Sequence, residues 1–469
     1  MSAKTSSSAK ATEDKKQHTK KNKAWVVAVD MGYGHQRAAY PLRFLDHQEV
    51  INANNYTGIP NKDRKIWQKS RSAYEAFTRF KRVPFIGEIV WNIFDKFQSI
   101  DPFYPRRNLT RPSLQLKQTY RLIKRKQWGK HLIEKLGQDP HPLITTFFIP
   151  AFMAEVWEYP GPIYCVVTDA DISRAWAPMD TRGSRIKYLA PTQRAVERLR
   201  LYGVPKENIT LTGFPLPFEN IGEDEKIIKE DLWRRISVLD PKQTFHKNYH
   251  GTIEQFLGKK PSYAREYKSL GRLADKQSDS ASWDKERDDN RVWVMFAIGG
   301  AGAQRNLACQ ILKSLAVHIK TGRIGMILVA GIHNDVKKFF EKQIKAESLT
   351  DFTGKGIEVV AADTKEEYFH LFNKELRHTD ILWTKPSELS FYAALGIPII
   401  IAPPIGSQEK FNKYWLGVIG AGLVQENPAF THEWLIDYLD NGWLAEAALQ
   451  GYLEAPRDGV ENIKKVVFG

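Results

Sequence analysis

Apolar residues along this chain fall into short continuous runs separated by stretches of helical period, and the rhythm occurs in two long blocks. In the first block, residues 24–30 (AWVVAVD), 143–149, 162–169, 186–191 and 208–215 read as buried strands. Unbroken β-branched and aliphatic runs belong to strands covered on both faces. The first run enters a glycine loop and a helix (GYGHQRAAYPLRFL), and 192–204 is a helix ended at Gly203. The second block opens in the same way, with a strand at 291–300, a glycine loop, and a helix at 304–320. Strands at 324–331, 357–363, 380–384 and 397–403 follow at βα spacing. After 380–384, a Lys-Pro turn opens a short helix from Ser387 to Leu395, which Gly396 ends. The strand after it delivers a polar loop containing Gln408, Glu409 and Asn412.

This pattern predicts an α/β protein with two Rossmann-like domains. A chain of 469 residues is too long for one core. The expected organisation is a disordered basic tail at 1–23, a first domain at 24–218, a charged inter-domain insertion at 219–290, a second domain at 291–430, and helices at 431–469 that close the chain. Whether those helices cross back over the first domain is open. The insertion carries 14 Lys/Arg and 15 Asp/Glu with little apolar periodicity beyond short pieces such as 226–239.

Composition narrows the class. Forty-two per cent hydrophobic residues and 13 Trp exclude a mainly disordered chain. Cys165 and Cys309 lie in or beside apolar runs without metal-ligand spacing, so both thiols are expected to be buried in a reducing compartment. No apolar run reaches the roughly 18 residues of a spanning helix, and the N-terminus lacks the apolar core of a secretory signal. The expected location is cytoplasmic.

Net charge is +15 and unevenly placed. Residues 60–130 hold 18 Lys/Arg against 5 Asp/Glu, which implies a local anionic partner. Aromatic and apolar side chains are interleaved there. Trp67, Tyr74, Phe77 and Phe80 share one helical face, Arg79, Lys81 and Arg82 follow among them, and Phe85 and Trp91 continue the theme. Three readings stand, in order: contact with an anionic membrane surface, an ordinary packed helical insertion, and nucleic-acid binding, which ranks last.

Candidate chemistry sits in the loops after the strands, where open α/β sheets bind ligands. Gly32 and Gly34 permit close approach to main-chain N–H groups, and His35 could accept a proton near neutral pH. The bland alternative is a turn with a solvated histidine. The loop Gly299, Gly300, Ala301, Gly302, Ala303 suits phosphate oxygens, although it is neither GxGxxG nor a Walker loop. Asp169 and Asp171 resemble a metal-binding pair, but no other acidic or histidine cluster is legible, so no metal is expected. With Arg174 and Trp176, they are expected to line a cleft instead.

Taken together, these segments resemble the two-domain GT-B glycosyltransferases, and within them the group of monogalactosyldiacylglycerol synthase and the processive diacylglycerol glucosyltransferases, with MurG more distant. The motifs carrying the resemblance are DMGYGHQRAA, VVTDADISRAW, YGVPKENITLTGFPLP, GGAGA, TKPSELSFYAALGIPIII and GSQEKFN, in that order. The resemblance implies two Rossmann-like domains facing across a cleft, and sugar transfer from a nucleotide donor, usually a UDP-sugar, to a lipid acceptor at a membrane, without cofactor or metal. His35 matches the histidine that faces the reaction centre and is the candidate base, 299–303 match the diphosphate loop, and Gln408 and Glu409 the pair that holds the donor sugar. Lys385, Pro386 and Glu388 sit at the phosphate and ribose contacts. Phe391 departs from the pattern, since a ribose-binding glutamate is expected there. Glu388, one turn earlier, is the substitute. The competing functions are a non-catalytic membrane or nucleic-acid adaptor and a soluble nucleotide-sugar epimerase.

Overall fold

The computed structural model describes residues 23–80, 100–257, 291–297, 304–404 and 406–469, the side chains of 73–80 and of residue 407 excepted. The chain divides into two units, Met1–Pro215 with Asp458–Gly469, and Leu216–Arg457.

The first unit is built on six parallel strands, β1 (Trp25–Ala28), β2 (Ile51–Asn52), β3 (Leu143–Thr145), β4 (Ile163–Val166), β5 (Ile186–Ala190) and β6 (Ile209–Leu211), in the order β2-β1-β3-β4-β5-β6. Its helices are α1 (Tyr33–Ala39), α2 (Asn61–Phe80), α3 (Leu114–Lys126), α4 (Lys130–Gly137), α5 (Phe148–Val156) and α6 (Gln193–Leu201). Successive strand residues point to opposite faces, so the apolar run of β1 serves two cores. Trp25 and Val27 join Leu132, Phe152 and Leu199 on one face. Val26 and Ala28 join Leu42, Leu45, Ile463 and Val467 on the other.

The second unit has strands β7 (Val292–Ala297), β8 (Ile324–Gly331), β9 (Ile357–Ala361), β10 (Ile381–Thr384), β11 (Ile399–Ile401) and β12 (Gly422–Val424), in the order β12-β11-β10-β7-β8-β9. Its helices are α7 (Lys226–Leu239), α8 (Thr244–Leu257), α9 (Arg305–Lys320), α10 (Asn334–Ala346), α11 (Lys365–His378), α12 (Ser407–Val418), α13 (Thr431–Asp440) and α14 (Trp443–Glu454). All eight residues of β8 are buried, as its unbroken apolar sequence requires. On α9, Ala308, Ile311, Leu312, Leu315 and Ile319 form the buried stripe. Both units are therefore Rossmann-like α/β folds.

Several boundaries differ from the sequence expectation. The charged segment after residue 219 is not merely inserted between domains, because its described helices pack inside the second unit. Asp231 pairs with Arg377 at 3.2 Å, and Arg234 lies 2.7 Å from the buried carboxylate of Asp380. Arg235 donates to the carbonyls of Thr379, Leu395 and Gly396. The closing helices also part company. α13 and α14 belong to the second unit, whereas α15 (Gly459–Phe468) returns to the first. There Asn462 donates to the Thr212 carbonyl at 2.9 Å, and a Cβ at Gly459 would collide with the carbonyl of Phe214. Of the run 143–149 only three residues are strand, and α5 starts at Phe148. Cys165 is buried as expected, while Cys309 is only partly buried. Among the described residues, no helix is long and apolar enough to cross a membrane.

Candidate functional site

In a parallel sheet, two neighbouring strands whose connections run in opposite directions leave a crevice at their carboxyl ends. In the first unit that point lies between β1 and β3, and His35 stands there, half-buried in the first turn of α1. Gly32 caps the turn at φ 111° and ψ −179°, a region essentially closed to residues with a Cβ. His35 Nδ1 lies 2.8 Å from the carbonyl oxygen of Thr146, just past β3, and the Thr146 hydroxyl donates back to the His35 carbonyl at 2.7 Å. A carbonyl can only accept, so Nδ1 carries the hydrogen, and in the neutral ring Nε2 has the lone pair. The tautomer thus follows from the partner. Phe147 packs on the ring at 4.5 Å, and the Trp176 ring lies 6.3 Å away. The loop itself is fastened by Asn54, which accepts from the Asp30 N–H at 2.6 Å, and Arg71 reaches the Asp30 carboxylate at 3.1 Å. This arrangement can take a proton from a hydroxyl at Nε2.

The residues expected beside His35 meet different fates. Asp171 is fully buried and grips Arg198 through two bonds of 2.8 Å. Arg174 is also buried and donates to the carbonyls of Thr110, Ala177 and Pro178. Neither lines a cleft; both hold loops of the first unit together, since a buried charge must be paired or fully hydrogen-bonded. Trp176 is buried among Phe147, Phe148 and His35. Asp169 is partly buried after β4.

In the second unit the corresponding point lies between β7 and β10, and the strand order, counted from β9, is that of dinucleotide-binding sheets. Thr384, the last residue of β10, donates to the carbonyl of Ala297, the last of β7, at 3.0 Å. The glycine loop 299–303 that follows β7 lies outside the described residues. Lys385 comes next after β10 and forms an ion pair with the buried Glu409. Asn412, fully buried, donates to the Pro386 carbonyl at 3.2 Å. The segment GSQEKFN is therefore not a loop: it forms the first turns of α12, and two side chains on it are locked to the Lys-Pro turn. Gln408 is partly buried beside Gly406, and Glu388 partly buried at the start of the 3-10 helix Glu388–Leu395. Phe391 is buried against Trp415, with ring centroids 5.1 Å apart, so it packs rather than meets a ligand.

The membrane candidates divide too. Trp67 is 2 % exposed and meets Trp128 edge-on at 4.5 Å, so it is core and not a lipid contact. One turn earlier, the buried Asp63 accepts from the Gly129 N–H at 3.1 Å. Burial raises its carboxyl pKa. This inner face of α2 is set by packing. Its outer face exposes Lys62, Arg64, Lys65 and Lys69, and α3 exposes Lys117, Arg121, Lys124, Arg125 and Lys126 beside the exposed Leu114 and Leu122. Lys81, Arg82, Phe85 and Trp91, and the side chains of Phe77, Arg79 and Phe80, lie outside the described residues.

Residues 273–427 match a family model described as a domain of unknown function (DUF6938). No curated protein matches the chain. Among solved structures, S. aureus MnaA with UDP is similar at 11% identity, with 95% of each chain covered and a TM-score of 0.45. MurG of Acinetobacter baumannii is similar at 11% identity, covering 95% of this chain and 99% of that one, with a TM-score of 0.44. The spinosyn rhamnosyltransferase SpnG stands at 13% identity, 95% and 99% coverage, and a TM-score of 0.40. At these values the likenesses carry no argument about activity, and the fold assignment rests on the strand orders above.

Proposed function

We propose that the protein is a GT-B glycosyltransferase that moves a hexose from a UDP-sugar to a lipid hydroxyl such as that of diacylglycerol, working peripherally on the cytosolic face of a membrane. The observation that carries this reading is the imidazole of His35, held at a strand switch point with Nε2 as its basic nitrogen. The acceptor hydroxyl gives its proton to Nε2 and attacks the sugar's anomeric carbon. The bond from that carbon to the diphosphate breaks, and UDP leaves. Lys385, paired with the buried Glu409 at the carboxyl end of β10, suits the diphosphate oxygens once a donor draws it from that carboxylate, which is then released for a sugar hydroxyl beside Gln408. No step requires metal. The exposed cations of α2 and α3, with Leu114 and Leu122, suit an anionic lipid surface, each basic side chain adding about 1 kcal/mol near it.

The test is incubation of the purified full chain with a lipid extract and a panel of labelled nucleotide sugars, reading label carried into the organic phase. Wild-type transfer that His35→Ala abolishes supports the proposal. Binding of anionic vesicles without any nucleotide-sugar turnover would replace it with the adaptor reading. Isomerised sugar nucleotide without acceptor would favour the epimerase.

A further inference from the structure

The fold assembles a second chemical cluster that the transfer reaction does not use. His47 lies in the segment leading into β2, and Asp139 and His141 in the segment leading into β3, with β1 between those two strands. The three side chains meet at the amino-terminal edge of the sheet, whereas His35 follows the carboxyl end of β1. His47 Nε2 is 3.0 Å from Asp139 Oδ2, and His141 Nε2 is 3.3 Å from the same oxygen. The two imidazole rings lie 4.2 Å apart, centroid to centroid. One ligand atom from each of the three residues lies within 4.8 Å of the other two.

The cluster is held by its surroundings rather than left to side-chain chance. Trp25 places its ring edge-on to both imidazoles, at 4.9 and 5.9 Å, and its indole N–H donates to the Asp139 carbonyl at 2.9 Å. The His47 N–H donates to the Ala24 carbonyl, and the neighbouring Asp46 carboxylate accepts from the N–H groups of Val26 and Gln48. Tyr159 accepts from the His141 N–H and donates to its carbonyl. Converging nitrogens with a shared carboxylate, on backbones fixed to neighbouring strands, are what a metal site needs before the ion arrives.

We propose that His47, Asp139 and His141 form a transition-metal site, selective for Zn2+ over Mg2+ or Ca2+. Two imidazole nitrogens and one carboxylate oxygen are borderline ligands that suit Zn2+, while Mg2+ and Ca2+ require oxygen sets. Side-chain exposures of 28% for His47, 24% for His141 and 63% for Asp139 leave the carboxylate side open to solvent, so water completes a tetrahedron. The ion clamps the leads into β2 and β3 across β1. It stands apart from the proposed transfer, which needs no metal, and the two ideas fail separately.

The test uses the full chain without an affinity tag, stripped by chelator and titrated with Zn2+ by calorimetry, and with Co2+ by visible absorption. The expected result is one equivalent bound, a tetrahedral Co2+ spectrum, a raised thermal transition with Zn2+, and no response to Mg2+. His47→Ala and His141→Ala should each weaken Zn2+ binding by about 100-fold or more, since even outer-shell partners of metal ligands are worth 10- to 100-fold. Asp139→Asn, at a largely exposed position, keeps the fold and should show the same loss. His131→Ala, whose ring instead meets Tyr56, should change nothing. Absence of stoichiometric binding by the wild type would overturn the proposal. So would binding that survives Asp139→Asn unchanged.

Discussion

The two sheets hold different things at their switch points. Between β1 and β3 of the first unit stands an imidazole held by one residue, Thr146, whose carbonyl meets Nδ1 and whose side-chain hydroxyl donates to the His35 carbonyl. In the second unit the charged pair nearest that point, Lys385 after β10 with Glu409 on α12 after β11, is closed by tertiary packing. The same contrast appears deeper in the core. The buried Arg198 of the first unit has a carboxylate partner in Asp171, while the buried Arg235 of the second is met by backbone carbonyls. Burial, with Arg234 alongside, pushes the Arg235 guanidinium down to about 10. At about 10 it stays cationic at neutral pH, with the carboxylates of Asp231 and Asp380 favouring the charged form, and it caps the carbonyls at the end of the Glu388–Leu395 turn. The lesson is one of division: the first unit fixes an imidazole through a main-chain carbonyl and a threonine hydroxyl, and the second fixes a lysine against a buried carboxylate.

The strongest way to break that division is at His35. His35→Ala should lower transfer by about 10²- to 10⁴-fold and leave the dissociation constant for the nucleotide sugar unchanged. A matching fall in donor affinity would mean that the ring binds rather than reacts. Next, Arg235→Met leaves the carbonyls of Thr379, Leu395 and Gly396 without their donor and should destabilise the second unit by about 3 kcal/mol. Denaturant unfolding followed by hydrogen exchange should report the loss in α7, α11 and the Lys-Pro turn, with β1 and β3 protected as before. Lys385→Met should weaken UDP binding by about 10-fold, or 1.4 kcal/mol, while the rate at saturating donor falls little. Calorimetry with UDP checks the first part and initial rates the second.

The smallest effect concerns pH. Burial pushes the Glu225 carboxyl up, but hydrogen bonds from Arg457 and Tyr452 outweigh it and hold the pKa below the ordinary 4.5. A carboxyl lowered on folding contributes stability that is present above 4.5 and disappears as pH falls through the lowered value. For this partly exposed group the contribution is about 1 kcal/mol or less. Glu225→Gln should therefore lower stability at pH 7 by that amount and flatten the acid limb below 4.5. An unchanged acid limb would show that the pair holds no net energy.

Much of the scaffold could be read directly. β8 and α7 have the bounds that their apolar patterning predicts, and β1 with α1, and β7 with α9, stand where the openings of the two blocks are read. The two-residue β2 and the three-residue β12 could not be read, because two or three residues make no period. The place of His35 after β1 could be read because a histidine after a glycine turn is a local signal. Trp67 was misplaced for the opposite reason: an aromatic face on a basic helix looks the same whether it meets lipid or Trp128, and only the neighbour decides. Asp171 and Arg174 failed similarly, since a carboxylate at a strand end gives no sign that Arg198 waits 27 residues later.

Local order thus came from the sequence itself: the period of each segment, the glycine turns, the uneven charge and the doubled α/β plan all arise from neighbours along the chain. Pairings between distant residues came only with the tertiary structure. His47 with Asp139 and His141, Lys385 with Glu409, and Arg235 with the carbonyls around residue 395 each unite separate segments. Their positions in the chain leave no periodic mark, because the energy that joins them is gained only after the sheets have brought them within a few ångströms.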